Sequence, residues 1–67
     1  MKALKGIIEG DEYYFYFNNY FCSGYVIKVA KHLLYIKNGC FAFPQEEEYA
    51  YKEATIDIRH LIGFASV

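Results

Sequence analysis

The chain lacks the sequence features by which most enzymes, metal proteins and membrane proteins are recognised. It has two cysteines, Cys22 and Cys40, in 67 residues, which are too few for a disulfide scaffold or a zinc site. No nucleophile elbow or phosphate-binding glycine motif is present. No apolar stretch reaches the length of about 18 residues that a membrane span needs. We therefore expect no enzyme activity, no cofactor, no bound metal and no membrane insertion.

An excess of charge of either sign is also missing. The net charge is −1 and the isoelectric point is about 6.0, so no global basic field attracts a phosphate backbone. The N-terminus has no apolar core of a signal peptide, which predicts a cytoplasmic protein. In that compartment the two cysteines are expected to be reduced and partly buried. A Cys22–Cys40 bridge between strands, or a redox role, is the alternative.

Aromatic side chains, by contrast, are abundant. The chain has 8 Tyr and 6 Phe, and residues 13–17 are five aromatics in a row. Because a strand points successive side chains to opposite faces, this run places rings on both faces of a sheet. One face can line a core, and the other meets water, a ligand or another chain. Hydrophobic residues make up 55% of the chain, more than a domain of this size can hide. We expect a single domain over residues 1–67 that self-associates.

The abundance of β-forming residues and the spacing of turn signals predict an all-β fold. We expect five or six antiparallel strands in a small, strongly bent sheet or barrel. Turns are predicted at residues 10–11, 18–19 and 31–32, a solvated acidic loop at residues 45–48, and a 3₁₀ turn at residues 59–60. The segments predicted to be extended are residues 3–9, 12–17, 20–30, 33–37, 40–43, 49–58 and 61–67.

Three residues carry more specific expectations for the strands. Asn38 and Gly39 form the strongest hairpin signal in the chain, of the type I′ kind. Gly24 lies within the segment predicted to be the longest strand, where it indicates a bulge or a sharp bend. Pro44, which has no N–H to donate, ends the strand before it.

Part of this pattern resembles the Sm-like family of small barrels, over residues 20–64. The resemblance is carried by FCSGYVIKV at 21–29, LLYIKN at 33–38 and ATIDIRHLIGF at 54–64. In that family a placed glycine bends the second strand, and a one-turn connection precedes the strand that closes the barrel. The resemblance implies a bent barrel and ring formation by pairing of edge strands.

The RNA-contacting residues of that family are not matched. Its first contact loop usually carries Asp and Asn, whereas residues 30–33 here read AKHL. Its second carries a basic residue and Gly, and here Arg59 and His60 lack the Gly. The family's N-terminal helix is replaced by what is predicted to be a hairpin over residues 3–17. Nucleic-acid binding is therefore not implied by the resemblance.

Two sets of candidate binding residues follow. Exposed Tyr suits a protein interface, because it combines an apolar body with a hydroxyl that can stay wet. The candidate interface residues are Tyr13, Tyr14, Phe15, Tyr16, Phe17, Tyr20, Tyr49 and Tyr51. The alternative to a protein interface is nucleic-acid binding, in which tyrosines stack on bases and basic side chains contact phosphates. The candidate nucleic-acid residues are Lys28, Lys31, His32, Arg59 and His60, with Lys37 and Lys52 as further cations.

The sequence thus favours a non-enzymatic interaction or regulatory protein that self-associates and binds a protein partner. Small chains without catalytic motifs are typical of accessory regulators and of inhibitors encoded by phage or mobile elements. The alternative is a nucleic-acid or nucleotide-binding barrel of the Sm-like kind.

Overall fold

The computed structural model describes residues 5–67, which form one antiparallel sheet of five strands. The strands are β1 (Glu12–Tyr16), β2 (Phe21–Ala30), β3 (Leu33–Ala42), β4 (Tyr49–Asp57) and β5 (Gly63–Ser66). A 3₁₀ turn, Ile58–His60, connects β4 to β5. The predictions of an all-β fold and of a single 3₁₀ turn before the last strand are confirmed.

The strands lie in the order β4-β3-β2-β1-β5, so that β4 and β5 are the two edges of the sheet. No ladder joins β4 to β5 among residues 5–67, and the sheet is therefore not closed into a barrel. Each edge strand has one neighbour, which leaves one row of its backbone N–H and C=O groups without a partner strand.

Alternation along β1 decides which aromatic rings enter the core. Tyr13, Phe15 and Phe17 are buried, whereas Tyr14 and Tyr16 between them are exposed. The rest of the core comes from the same face of the other strands and from the 3₁₀ turn. These further buried residues are Cys22, Val26, Leu34, Ile36, Ile56 and Ile58.

The strand predicted for residues 3–9 is wrong over residues 5–9, and residues 3–4 lie outside the described part of the chain. Gly6 and Gly10 both have a positive φ, 99° and 93°, which interrupts an extended run. The segment instead makes a turn in which the Asp11 N–H bonds the Ile8 carbonyl at 3.2 Å. Ile8 also donates its N–H to the Tyr13 hydroxyl at 2.9 Å, which holds the segment against the end of the sheet.

The hairpin predicted at Asn38 and Gly39 is also wrong, since β3 runs straight through them. Asn38 does take a positive φ of 53°, as the sequence signal requires. Opposite Gly24 of β2, however, β3 contributes both Asn38 and Gly39, so the pair forms a β-bulge. The strand continues because β3 is flanked on both sides, by β2 and by β4, and its residues pair with each of them.

The irregularity predicted at Gly24 is confirmed, although the extra residue of this bulge lies on β3. A second register shift follows at Ile27, where the extra residue lies on β2. The two shifts cancel, so the ladder regains its register. Bulges raise the local twist and bend a strand, and both lie in the two longest strands. The turns predicted at residues 10–11, 18–19 and 31–32 and the end of β3 before Pro44 are also found.

Candidate functional site

Four aromatic side chains share the outer face of β1 and β2 and form what we call the outer-face patch: Tyr14, Tyr16, Phe21 and Tyr25. Tyr16 lies directly opposite Phe21 in the ladder, and Tyr14 lies diagonally from it. The ring centroids are 6.0 Å and 6.4 Å from that of Phe21, respectively. All four side chains are exposed, by 37–41% of their surface. Tyr14 and Tyr16 thus both contact the ring of Phe21, and Tyr25 extends the same exposed face along β2.

A second set of rings lies at the end of the sheet where β3 leaves and β4 begins, and we call it the aromatic groove: Tyr20, Phe41, Phe43 and Tyr49. They border an open cavity of about 400 Å³. Phe43 is central, with its ring centroid 5.3 Å from that of Tyr20 and 5.9 Å from that of Tyr49. Tyr49 is the most accessible of the four, with half of its surface exposed.

The aromatic groove rests on the core through two contacts. Tyr20 stacks on the buried Phe17 with centroids 4.7 Å apart and planes 9° from parallel. Phe41 lies 5.1 Å from the ring of Tyr51, which is half-buried and donates its hydroxyl to the Ser23 carbonyl at 2.7 Å. Burial raises the pKa of Tyr51, and the nearby Cys22, Cys40 and Glu12 raise it further. Burial likewise raises the pKa of Tyr20. Both hydroxyls therefore stay protonated, and the groove floor carries no charge.

A second cavity of about 380 Å³ adjoins the groove on the side of the 3₁₀ turn. Its floor is shared with the groove through Tyr20 and Phe41. Its rim is polar and includes Asn18, Asn19 and His60. Polar groups converging on an aromatic floor are the usual composition of a small-ligand site, but these three side chains are exposed and form no hydrogen bond with one another in the described chain.

The basic residues predicted for nucleic acid are brought together only in part. The β2–β3 turn and the 3₁₀ turn lie side by side, since the Ile58 N–H bonds the His32 carbonyl at 2.9 Å. This places Lys31 and His32 near Arg59. The Arg59 guanidinium, however, is paired with the Asp57 carboxylate, its Nε lying 3.0 Å and 3.1 Å from the two oxygens. These bonds, with the Arg59 N–H, hold the pKa of the Asp57 carboxyl far below its usual range.

The remaining candidate cations are dispersed. Lys28 lies with its ammonium 5.0 Å from the centroid of the Tyr35 ring, a cation–π distance, on β2. Lys37 faces Glu53 across β3 and β4. Lys52 is exposed on β4, and His60 borders the cavity beside the aromatic groove. The described residues therefore form no continuous basic stripe.

Cys40 lies opposite Ser23 rather than Cys22 in the ladder, so the alternative of a Cys22–Cys40 bridge is not found. Cys22 is buried in the core and Cys40 is partly buried, and no disulfide joins them. Burial raises the pKa of the Cys22 thiol to about 12. At neutral pH Cys22 is thus an unreactive thiol that serves as a small apolar residue.

The predicted interface residues divide between core and surface. Tyr13, Phe15 and Phe17 are core residues, so their side chains are withdrawn from any partner surface. The other five are placed at the outer face or around the groove. These are Tyr14 and Tyr16 in the outer-face patch, Tyr20 and Tyr49 in the aromatic groove, and Tyr51 behind it.

Sequence reasoning missed four rings of these surfaces: Phe21, Tyr25, Phe41 and Phe43. The alternation of Phe41 and Phe43 just before Pro44 was a usable signal for one face of a strand end. The hairpin predicted at residues 38–39 makes residues 40–43 a short return strand, which would separate the two rings from Tyr20 and Tyr49. Phe21 was missed because its contact with Tyr16 depends on the pairing of β1 with β2, which the sequence alone does not give.

Comparisons with known proteins give no match, whether to a family model, a curated protein or a solved structure. The described residues hold no helix long and apolar enough to cross a membrane. Within the same range no three His, Cys, Asp or Glu side chains come close enough together to hold a metal ion.

Proposed function

We propose that this protein is a non-enzymatic interaction domain that self-associates and binds a protein partner. The observation that carries the proposal is the outer-face patch, in which four aromatic side chains, three of them in ring contact through Phe21, stand exposed on one face of a 67-residue domain. Contiguous apolar patches of this kind mark interaction surfaces, and Tyr and Phe are enriched at the centres of interfaces. A regulatory role, such as that of inhibitors encoded by phage or mobile elements, is consistent with this small size.

The two open edges of the sheet support self-association independently of the patch. β4 and β5 are at opposite ends of the strand order, and each carries a free row of backbone groups. Antiparallel or parallel pairing of an edge with that of another copy would satisfy these groups by adding strands to the sheet. An assembly that pairs edges would leave the outer face free to meet a further copy.

The test is the mass in solution, by light scattering over a range of concentrations. We expect a mass above that of one chain, and a return to the single-chain mass in the double variant Tyr14→Ser/Tyr16→Ser. Tyr49→Ser is the control, because it removes the same group from an exposed position outside the patch. A single-chain mass for the parent at high concentration would contradict self-association. An unchanged mass in the double variant would exclude the outer-face patch.

A second candidate function is nucleic-acid binding at the basic corner formed by Lys31, His32 and Arg59. The observation in its favour is the bond between the Ile58 N–H and the His32 carbonyl, which brings the two basic turns together. The pairing of Arg59 with Asp57 weakens it, since one cation is already neutralised. Titration with single-stranded RNA at several salt concentrations separates the two functions. Binding that falls steeply with salt and is lost in Lys31→Gln would favour nucleic acid.

A further inference from the structure

We infer that the aromatic groove binds an extended, basic segment of a partner protein in which proline or aliphatic residues accompany arginine or lysine. This inference deepens the protein-partner part of the proposed function and concerns a different surface from the outer-face patch. It rests on three features: the shape and composition of the groove, the charge beside it, and the composition of the chain itself.

The groove is open and wholly aromatic at its floor. Tyr20, Phe41, Phe43 and Tyr49 border about 400 Å³ of space. Their ring centroids lie 5.3–6.5 Å apart, in stacked, tilted and edge-to-face pairs. Aromatic-lined grooves of this kind receive extended and polyproline II segments, which lose little conformational entropy on binding. Guanidinium groups also stack on aromatic faces. An extended chain fits such an open floor better than a compact ligand does.

The loop between β3 and β4 places negative charge at one end of the groove. Glu46, Glu47 and Glu48 are all exposed, and none of them is within ion-pair distance of a Lys or Arg in residues 5–67. Glu46 is adjacent to the groove, since its carboxylate oxygen lies 3.4 Å from the Tyr49 hydroxyl. A depression of about 340 Å³ with Glu46 on its wall shares Phe43 with the groove. The charge therefore lies where a bound segment would leave the aromatic floor.

The negative charge of the acidic loop determines which kind of molecule can occupy the aromatic groove. A nucleic acid would bring phosphates toward three unpaired carboxylates and would be repelled. A second copy of the chain does not carry the complementary segment, because no two of its 7 Lys and Arg residues are adjacent and its one proline, Pro44, precedes the acidic run itself. A basic partner segment satisfies both the apolar floor and the acidic end.

The experiment selects peptides from a random library displayed on phage, with the parent protein as bait, and sequences the enriched pool. We expect enrichment of Pro with Arg or Lys and depletion of Asp and Glu.

The affinity of the tightest peptide is then measured by fluorescence anisotropy. Tyr49→Ser is expected to weaken its binding by about tenfold. The triple variant Glu46→Gln/Glu47→Gln/Glu48→Gln should weaken it by roughly three- to tenfold and flatten its salt dependence. Ile62→Ser, which changes an exposed side chain outside both the groove and the outer-face patch, is the control and should leave the affinity unchanged.

Three results would overturn the inference: no enriched peptide, enrichment of acidic peptides, or equal affinity of parent and Tyr49→Ser. Melting temperatures of all variants exclude loss of fold as the cause of weaker binding. The mass in solution keeps this test apart from the proposed self-association. A single-chain mass with basic peptide bound contradicts self-association and supports the groove. A stable oligomer that enriches no peptide contradicts the groove and supports self-association.

Discussion

The Tyr51 hydroxyl donates a 2.7 Å hydrogen bond to the Ser23 carbonyl, crossing over β3 from β4 to β2. The Tyr51 side chain can reach Ser23 only because the two residues that lie beneath it, Gly24 and Gly39, have no side chain. A Cβ on Gly24 would overlap the Tyr51 hydroxyl, and one on Gly39 would overlap the Ser23 carbonyl. The bond thus links β4 to β2 across β3 at the bulge. The ring of Tyr51 at the same time supports Phe41 of the aromatic groove.

Alanine at these two glycines is expected to destabilise the fold for different reasons. Gly24→Ala meets the end of a side chain, so Tyr51→Phe in the same molecule should recover part of the loss. Gly39→Ala meets backbone, so Tyr51→Phe should recover little of it. We expect a cost on the order of 1–3 kcal/mol for each glycine variant, in the range of overpacked sites. Chemical unfolding of the single and double variants measures both.

Gly63→Ala is the matched control for this series, because a Cβ there meets nothing within 4 Å and the backbone φ is not positive. Its free energy of unfolding should stay close to that of the parent. Equal losses at all three glycines would show that backbone freedom, rather than the space beneath Tyr51, is what these positions provide.

The incorrect prediction of a hairpin at Asn38 and Gly39 shows which structural information the local sequence carries. The signal was correct for Asn38, whose φ is positive, and incorrect for Gly39, whose φ is not. Tolerance of a positive φ is a local property of Asn and Gly residues. Whether that φ makes a turn or a bulge depends on whether a partner strand continues past it, which is decided by β2 and β4. The alternation of residues 13–17 was more predictive, because burial of one whole face fixes the register of a strand.

The residues of the candidate surfaces, too, could be predicted only where they lie in a single strand. Alternation in one strand predicted that Tyr14 and Tyr16 share a face, opposite the other three aromatics of the run. It did not predict which of the two faces is exposed, and the structure exposes the face of Tyr14 and Tyr16. The aromatic groove joins Tyr20, Phe43 and Tyr49 from three separate segments, and their proximity depends on strand order. No pattern within a single segment contains that information, so only part of the groove could be predicted.

Substitutions at Asn38 should separate the φ requirement from side-chain packing. Asn38 is exposed and has a φ of 53°. Asn38→Val places a β-branched residue in the left-handed region and should cost about 1–2 kcal/mol. Asn38→Gly should be tolerated. Lys37→Val is the control, since Lys37 is an exposed neighbour whose φ is not positive. If both valine variants lost the same stability in thermal unfolding, the bulge would not depend on the φ of Asn38.

Stability is expected to fall at alkaline pH because of Cys22. Its pKa rises from an ordinary 9.0 to about 12 on folding. Above about pH 9 the unfolded chain therefore releases this proton while the folded chain keeps it, so a higher pH favours unfolding. Burial of Tyr51 adds a loss of the same sign at higher pH, as the unfolded tyrosine titrates first.

The measurement is the urea midpoint of the parent and of Cys22→Ala between neutral pH and about pH 11. Cys22→Ala leaves a small cavity and should be less stable than the parent at neutral pH, but it lacks the loss of stability that titration of the thiol causes at high pH. Its decline should begin at a higher pH than that of the parent. Parallel curves for the two proteins would mean that the Cys22 thiol titrates alike in the folded and unfolded chains.

Two interactions with Arg59, through its side chain and through its backbone N–H, lower the pKa of the Asp57 carboxyl, and their contributions can be separated. Its carboxylate accepts from the Arg59 side chain and, at 2.9 Å, from the Arg59 backbone N–H. Arg59→Gln removes the charged partner and keeps the backbone donor, so the pKa of Asp57 should rise and still stay below the ordinary 3.8. Because the folded pKa is the lower one, the stability that this carboxylate supplies is present above about pH 4 and is lost as the pH falls. Carboxyl carbon shifts measured by nuclear magnetic resonance follow Asp57 directly, with Asp11, exposed at the far turn, as the internal control. A pKa unchanged by Arg59→Gln would show that the backbone N–H alone depresses it.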